Sequence, residues 1–448
     1  MFATGVSPAT HGRYFFKQVF PGSYVASRFQ GSDFGSRAFW DELSDAGRRV
    51  AVFDVPKVAL SSPLNGVMSV DWIVHGAVYH ELRTSPPDLA SDLVERFGKD
   101  PLPKCDQPGM RTADENRAFL DIMIERVHQR TRCALEFVRA ESWDLFLTVF
   151  GEPHCVGHQC WHVRDASHPL HDPVSAQAIG DPLREVYAAI DRAFAQIIAA
   201  TDDDTVVIVF SGTGMGPNYT GNFILDDVLR NLEGKQATRT LDWFTRAKRQ
   251  VKKIVPVSVR KRGRKLSKRI EESTREEDRA RRLCFAVPHN DIAGAIRVNL
   301  VGREPEGKIH PGEEYDAFFE SLRRDLMELK NLDTGGPVVA DVVKTADFCQ
   351  GPHLDRMPDF FVLWNRDAPI DRVGSPRAGE VEYVHRGNRT GDHTPESLFI
   401  AAGPGVRPGS VGSCSILDLA PTVAEITGVH LAEAEGHPLA ALLAEDDR

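Results

Sequence analysis

The chain has 448 residues, 42% hydrophobic and 26% charged, with a formal net charge of −10. This is the composition of an ordinary globular enzyme, with no low-complexity tract. No apolar run approaches the ~18 residues of a membrane-spanning helix. The opening "MFATGVSPATHGRYFF" has no basic stretch followed by an apolar one, so no signal peptide is expected. The length suits one large domain with insertions, or two domains.

The predicted elements alternate along the chain. "RRVAVFDV" (48–55) reads as a buried strand. "ADENRAFLDIMIERVHQRTRCALEFVRA" (113–140) has helical spacing, and "WDLFLTVF" (143–150) is a second buried strand. In "DPLREVYAAIDRAFAQIIAA" (181–200), Leu183, Val186, Ala189, Ile190, Phe194, Ile197 and Ile198 line one helical face. "TVVIVF" (205–210), "DFFVLW" (359–364) and "ESLFIAAG" (396–403) are three more buried strands. The alternation predicts an α/β fold with a mainly parallel central sheet flanked by helices. Residues 236–285 break the rhythm and read as an inserted basic arm, helical in part. Between Arg246 and Arg269 there are twelve Lys or Arg and no Asp or Glu. Such a stretch is either a solvated face or a contact for a polyanion, whether nucleic acid, anionic lipid or an acidic polymer.

Seven cysteines, Cys105, Cys133, Cys155, Cys160, Cys284, Cys349 and Cys414, are an odd number without a CxxC pair. A reducing, cytoplasmic location fits them best, and Cys155 and Cys160 read as small buried thiols.

The densest chemistry follows the second strand, in "GEPHCVGHQCWHVRDASHPLHDP" (151–173). It holds His154, His158, His162, His168 and His171, with Glu152, Asp165 and Asp172. His154 and His158 stand four apart. On a helix their Cβ atoms lie about 6 Å apart on one face, a spacing that suits two imidazoles on one zinc ion. The later histidines read equally well as polar loop residues. His393, in "RTGDHTPESLFIAAGPGVRPG", is a third candidate ligand on a glycine-rich turn. The turn Ser211-Gly212-Thr213-Gly214 ends a strand where open α/β sheets place their chemistry, yet carries no carboxylate, histidine or cysteine.

Taken in order, several segments resemble the alkaline phosphatase superfamily, in its type I phosphodiesterase/nucleotide pyrophosphatase branch. They are "TGVSPATHGRYFF", "RRVAVFDVPKVALSSPLNGVM", "HCVGHQCW", "VIVFSGTGMGPN", "GAIRVNLVGREPEGKI", "MPDFFVLW", "GDHTPESLFIAAGPGV" and "SILDLAPTVAEITGV". The resemblance implies an alkaline phosphatase-like domain over 1–235 and 286–448, interrupted by the arm 236–285. It also implies two metal ions, usually zinc. Carried over residue by residue, the first site falls on His154, His158 and His393. In the second site the family's Asp-His falls on Gly212 and Thr213, and its nucleophile and N-terminal Asp have no counterpart from Met1 onward. One zinc at most is therefore expected. The family's first strand is also missing, which predicts a gap, a rearranged strand or a partner chain in the sheet.

Three functions follow as expectations. The first is a one-metal hydrolase of phosphate, phosphodiester or sulfate esters, with Glu152, Asp165 or Asp172 as general base. The second is a non-catalytic family member that binds an anionic ligand or a protein partner. The third is a structural histidine cluster without metal. A missing strand also makes a homo-oligomer an expected state. Elsewhere, His11 reads as a turn or helix-end residue, and Asp418 as the cap of the helix entered at Pro421. Asn299 and Arg303 read as fixing a strand and its turn, with a substrate anion the alternative for Arg303. Arg386 and Arg389, near His393, are either anion contacts or surface residues.

Overall fold

Val50, Ala51, Val52 and Phe53 are all buried and form strand β1 (Val50–Phe53), the centre of the first sheet in the computed structural model. The structure describes residues 1–28, 35–76, 78–107, 109–234, 273–290, 292–383 and 387–443. They form two compact units. The first holds Met1–Ser7, Gln30–Asn218 and Arg386–Arg448, and the second Pro8–Phe29 and Tyr219–His385.

In the first unit, β1 is followed by β2 (Gly66–Val70) and β3 (Arg83–Ser85). Helix α1 (Ala113–Ala140) then starts at a capping box. Thr112 Oγ1 accepts from the Glu115 amide and the Glu115 carboxylate accepts from the Thr112 amide, which satisfies two otherwise orphaned donors. Strand β4 (Leu145–Thr148) leads into α2 (Glu152–Arg164), then α3 (Pro182–Ile198), β5 (Val207–Phe210) and β6 (Gly214–Pro217). The unit continues with β7 (Gly391–Thr394) and β8 (Phe399–Ala402), followed by a helix, Leu419–Ile426.

The first sheet runs β3-β2-β1-β4, with β1 parallel to both β2 and β4. Every other strand pairing among the described residues is antiparallel, including β5–β8 and β6–β7. The α/β class expected from the sequence is there, but its sheets are mixed rather than mainly parallel. β4 and β5 lie in different sheets. All four residues of each are only half-buried, and among the described residues β4 pairs only with β1 and β5 only with β8. An apolar run predicts burial only when both edges and both faces are covered.

One core brings α1, α2 and α3 together. It joins Phe119, Met123 and Val127 of α1 to Cys155, Val156, Cys160 and Val163 of α2, and to Leu183, Val186 and Ile190 of α3. The predicted face of α3 is buried in its first half, whereas Ile198 is 45% exposed at its end. Each fully buried aliphatic side chain contributes about 1.5–3 kcal/mol, so this packing fixes where α2 presents its polar residues.

The second unit centres on an antiparallel sheet in the order Val339–Lys344, Phe360–Trp364, Gly294–Val298, Cys284–Val287. Phe319, Leu322 and Leu326 of helix Glu313–Met327 join Phe360 and Val362 in its core. Residues 273–285, placed with the arm above, are helix 273–280 and the start of strand Cys284–Val287. Arg282 there is buried and pairs with Asp226 at 2.8 Å. The basic stretch 246–269 lies outside the described residues, as does Arg386.

Asn299 does fix its strand. Its Nδ2 donates to the carbonyls of Arg279, Ala280 and Arg282, and its Oδ1 accepts from Tyr24. Arg303 grips Asp359 at 2.7 and 2.9 Å and also pairs with Glu304, which leaves its charge engaged by the fold rather than by a substrate. His11 ends the helix Pro8–His11, and its Nδ1 accepts from the Arg13 amide. Asp418 corrects the sequence reading. It precedes helix Leu419–Ile426, but its carboxylate accepts from the Ser415 and His437 amides and makes no cap bond to the helix.

Candidate metal centre

α2 begins directly after β4, with Pro153 in its first turn, and carries His154 and His158 one turn apart. β7 supplies His393, which lies opposite Met215 of β6. The sequence placed His393 on a turn; it is on a strand, because β6 and β7 pair immediately beyond the 211–214 turn. Helix and strand approach so closely that a Cβ on Gly391 would stand 2.0 Å from the Gly157 carbonyl oxygen. Only glycine at 391 permits that contact.

The three predicted residues meet. His158 Nε2 is 3.2 Å from His154 Nε2 and 3.2 Å from His393 Nε2. The ring centroids are 4.4, 4.6 and 5.2 Å apart. His158 Nδ1 is 2.8 Å from the Gly391 carbonyl oxygen, which can only accept. Nδ1 therefore carries the proton, and in the neutral ring Nε2 presents its lone pair to the other two imidazoles. Burial, with the neighbouring Arg389 and His393, holds His158 down at about 2. Burial also drives His154 well below 6.5, assisted by His158, His75 and His393. Neutral imidazoles crowded nitrogen to nitrogen leave lone pairs in need of a cation. A tetrahedral zinc ion with bonds of about 2.0–2.1 Å would separate such nitrogens by about 3.3 Å. The two 3.2 Å separations fit that ion, and the three ligand atoms all lie within 4.8 Å of one another.

The base of α2 is held by buried ions. Arg130 of α1 is 3.0 Å from Asp54 and 3.4 Å from Glu152, and Arg126 is 3.8 Å from Glu152 and 3.0 Å from Asp100. Burial opposes the charge of Arg130, but Glu152 and Asp54 more than offset it and raise its pKa. Glu152 is thus an anchor of the helix rather than a free base. Asp165 bonds Ser167 and Trp161, and Asp172 caps helix Pro173–Ile179 through the Val174 and Ser175 amides. Both carboxylates are engaged in these local hydrogen bonds.

The remaining histidines of the segment have local partners. His162 Nδ1 is 2.9 Å from Thr390 Oγ1, His171 Nδ1 donates to the His162 carbonyl, and His168 Nδ1 accepts from the Leu170 amide. Arg389 is one-third exposed and lies 3.3 Å from Asp392.

At the other expected site, Ser211 is tied to Leu398 by two hydrogen bonds, and Gly212 and Thr213 supply no carboxylate or imidazole. Space does not forbid a ligand there. A Cβ on Gly212 would meet only Ile416, at 3.4 Å.

Sequence reasoning missed His75 and Cys105. The His75 ring is centred 4.7 Å from that of His154, and its Nδ1 is 2.9 Å from Cys105 Sγ. No local pattern marks either residue, since both come from loops far from the histidine segment. Cys155 and Cys160 are buried, as expected, and burial pushes the Cys160 thiol up to about 12.

The sequence matches the family model described as type I phosphodiesterase / nucleotide pyrophosphatase over residues 2–389, ending before His393. No curated protein matches it. Two solved structures of phosphonoacetate hydrolase from Sinorhizobium meliloti 1021 share its fold, one with phosphonoacetate and one with phosphonoformate. Each is 13% identical and the match covers 95% of this chain and 83% of that one, with TM-scores of 0.51 and 0.52. Human ectonucleotide pyrophosphatase / phosphodiesterase 5 matches with TM-score 0.44 and 13% identity, over 97% of this chain and 83% of its own.

Proposed function

Because the chain belongs to the type I phosphodiesterase/nucleotide pyrophosphatase family, we propose that it is a metal-dependent hydrolase of anionic esters, using one zinc ion held by His154, His158 and His393. The observation that carries this reading is the pair of 3.2 Å contacts that converge on His158 Nε2. When bound, a zinc ion supplies a Lewis acid that polarises an ester oxygen or a water molecule. The chain's own residues prepare the site. The Gly391 carbonyl fixes the His158 tautomer, and burial keeps His154 and His158 neutral. Arg389, paired with Asp392, adds to the field that keeps His158 neutral.

The test is zinc content per chain beside His158→Ala, followed by turnover of aryl phosphate, bis-aryl phosphate and aryl sulfate by the zinc-loaded protein. About one zinc, lost in His158→Ala together with turnover, supports the proposal. Absence of zinc from the wild type overturns it. Gly212 and Thr213 favour a second reading, a non-catalytic member that binds an anionic ligand or a protein partner. Zinc bound without turnover of any of the three ester classes selects that reading.

Among the described residues, no helix is long and apolar enough to cross a membrane. We also propose a reducing, cytoplasmic setting, which the seven unpaired cysteines support. The basic stretch 246–269 is assigned to polyanion contact, with heparin binding that weakens as salt rises as its test. A homo-oligomer is the proposed assembly, to be checked by sedimentation.

A further inference from the structure

Beside the three-histidine set lies a second group of ligand atoms with a different chemistry. Cys105 Sγ and Cys155 Sγ are 3.5 Å apart. His75 Nδ1 is 2.9 Å from the first sulfur and 3.8 Å from the second. These atoms come from three separate segments: the loop after β2, the loop before α1, and the first turn of α2. Both cysteines are buried.

We propose that Cys105, Cys155 and His75 form a second, thiolate-rich metal site that takes one borderline-soft divalent cation such as zinc. Tetrahedral zinc with sulfur bonds of about 2.3 Å and nitrogen bonds of about 2.0–2.1 Å sets ligand atoms about 3.5–3.8 Å apart. Two of the three observed separations fall in that range, and the third, 2.9 Å, is shorter than a shared ion would set. Sulfur and imidazole are the donors that select zinc-like ions over magnesium or calcium.

Two further observations point the same way. His154 Nδ1 is buried without a hydrogen-bond partner, although Nε2 of the same ring belongs to the three-histidine set. Ligand atoms of His75, His154 and Cys155 all lie within 4.8 Å of one another, so His154 borders both groups. On the outer side, Asp106 is 3.6 Å from His75 Nε2. A carboxylate at that distance favours the proton on Nε2 by its charge and so leaves the Nδ1 lone pair facing the sulfurs.

The charges balance. Binding releases two thiol protons to solvent, and two thiolates with a neutral imidazole then neutralise a divalent cation. The buried site carries no net charge, so its burial incurs little electrostatic cost. The site pins the two loops to the turn of α2 that carries His154. It uses neither Gly212 nor Thr213, and does not rest on the three-histidine reading.

The experiment is a cobalt(II) titration of the reduced, chelator-stripped full-length protein, read by near-ultraviolet sulfur-to-cobalt charge transfer and by bound cobalt per chain. The expected result is a charge-transfer band lost in Cys105→Ser and in His75→Ala, with one equivalent of cobalt lost alongside it. His75 is partly exposed, so its variant keeps the test available if a cysteine variant fails to fold. In His393→Ala the band should persist while the other equivalent disappears. Cobalt uptake without the band overturns the proposal and leaves the three-histidine site standing. A band with a single equivalent that survives in His393→Ala upholds it and sinks the other site. Wild-type protein that forms a Cys105–Cys155 disulfide and takes up no cobalt even under reductant overturns it outright.

Discussion

Arg130→Met is the sharpest perturbation of the frame beneath the metal centre. Arg130 is 3% exposed and lies between Asp54 and Glu152, which are 1% and 0% exposed. Removing its charge strands Asp54 with only the Trp72 and Ile73 amides, and leaves Glu152 with Arg126 at 3.8 Å. Breaking one partner out of a buried ion pair costs about 3–5 kcal/mol. At roughly 2–4 °C per kcal/mol for a unit of this size, Tm should fall by about 10 °C. Glu152→Gln is the informative contrast. It keeps the side-chain shape, leaves Arg130 paired with Asp54 and Arg126 paired with Asp100, and should cost only about 1–2 kcal/mol. The assay is thermal unfolding of both variants, with bound zinc measured at room temperature. Glu152 sits in the same turn as His154, so Arg130→Met should also loosen zinc. Equal losses in the two variants, or an Arg130→Met loss below about 1 kcal/mol, would refute the ion-network argument.

Three other outcomes follow from the same geometry. Burial, with the nearby His168, holds His162 at about 4, against 6.5 for an ordinary histidine, while Asp172 pulls the other way. Its neutral form belongs to the fold, so its stabilisation is complete above pH 6.5 and is lost as pH falls toward 4. Tm should be flat above pH 7 and decline below 6.5, by up to about 1.4 kcal/mol per pH unit from this group; His162→Gln should decline less. Gly391→Ala drives a methyl group into the Gly157 carbonyl and should cost about 3 kcal/mol and release zinc, read by denaturant unfolding and metal analysis. Gly212→Asp has room for its side chain, and should unfold within about 1 kcal/mol of wild type; a larger loss would mean that the turn needs glycine for packing.

Local signals were legible and long-range ones were not. Helix α1 fills the predicted span 113–140 because Thr112 and Glu115 mark its start and helical spacing carries it through. His154 and His158 were legible because one helix fixes their spacing without help from the rest of the fold. His393 was a weak local candidate on its glycine-rich turn, and the order of the resembling segments is what joined it to His154 and His158. Asp418 misled because an acidic residue just before a helix looks like a cap, whereas the choice among amides is made by Ser415 and His437, one of them brought in from the following loop. The exposure of β4 and β5 was hidden for a similar reason: strand composition does not say whether a neighbour is present.

The three-histidine geometry depends on residues without ligating atoms. His158 presents Nε2 because its Nδ1–H donates to the Gly391 carbonyl, and that carbonyl is in reach because residue 391 lacks a side chain. At 211–214 the backbone turn remains, and Gly212 has space for a ligand, but the ligand chemistry is absent. The two places therefore differ in what they require. The histidine set needs close backbone approach, a fixed tautomer and the Arg130 network at once, so single substitutions at several positions should dismantle it. The turn is under no such packing demand at Gly212, which is why restoring a carboxylate there should change little in the fold and why the chemistry of the site is best sought on the histidine side.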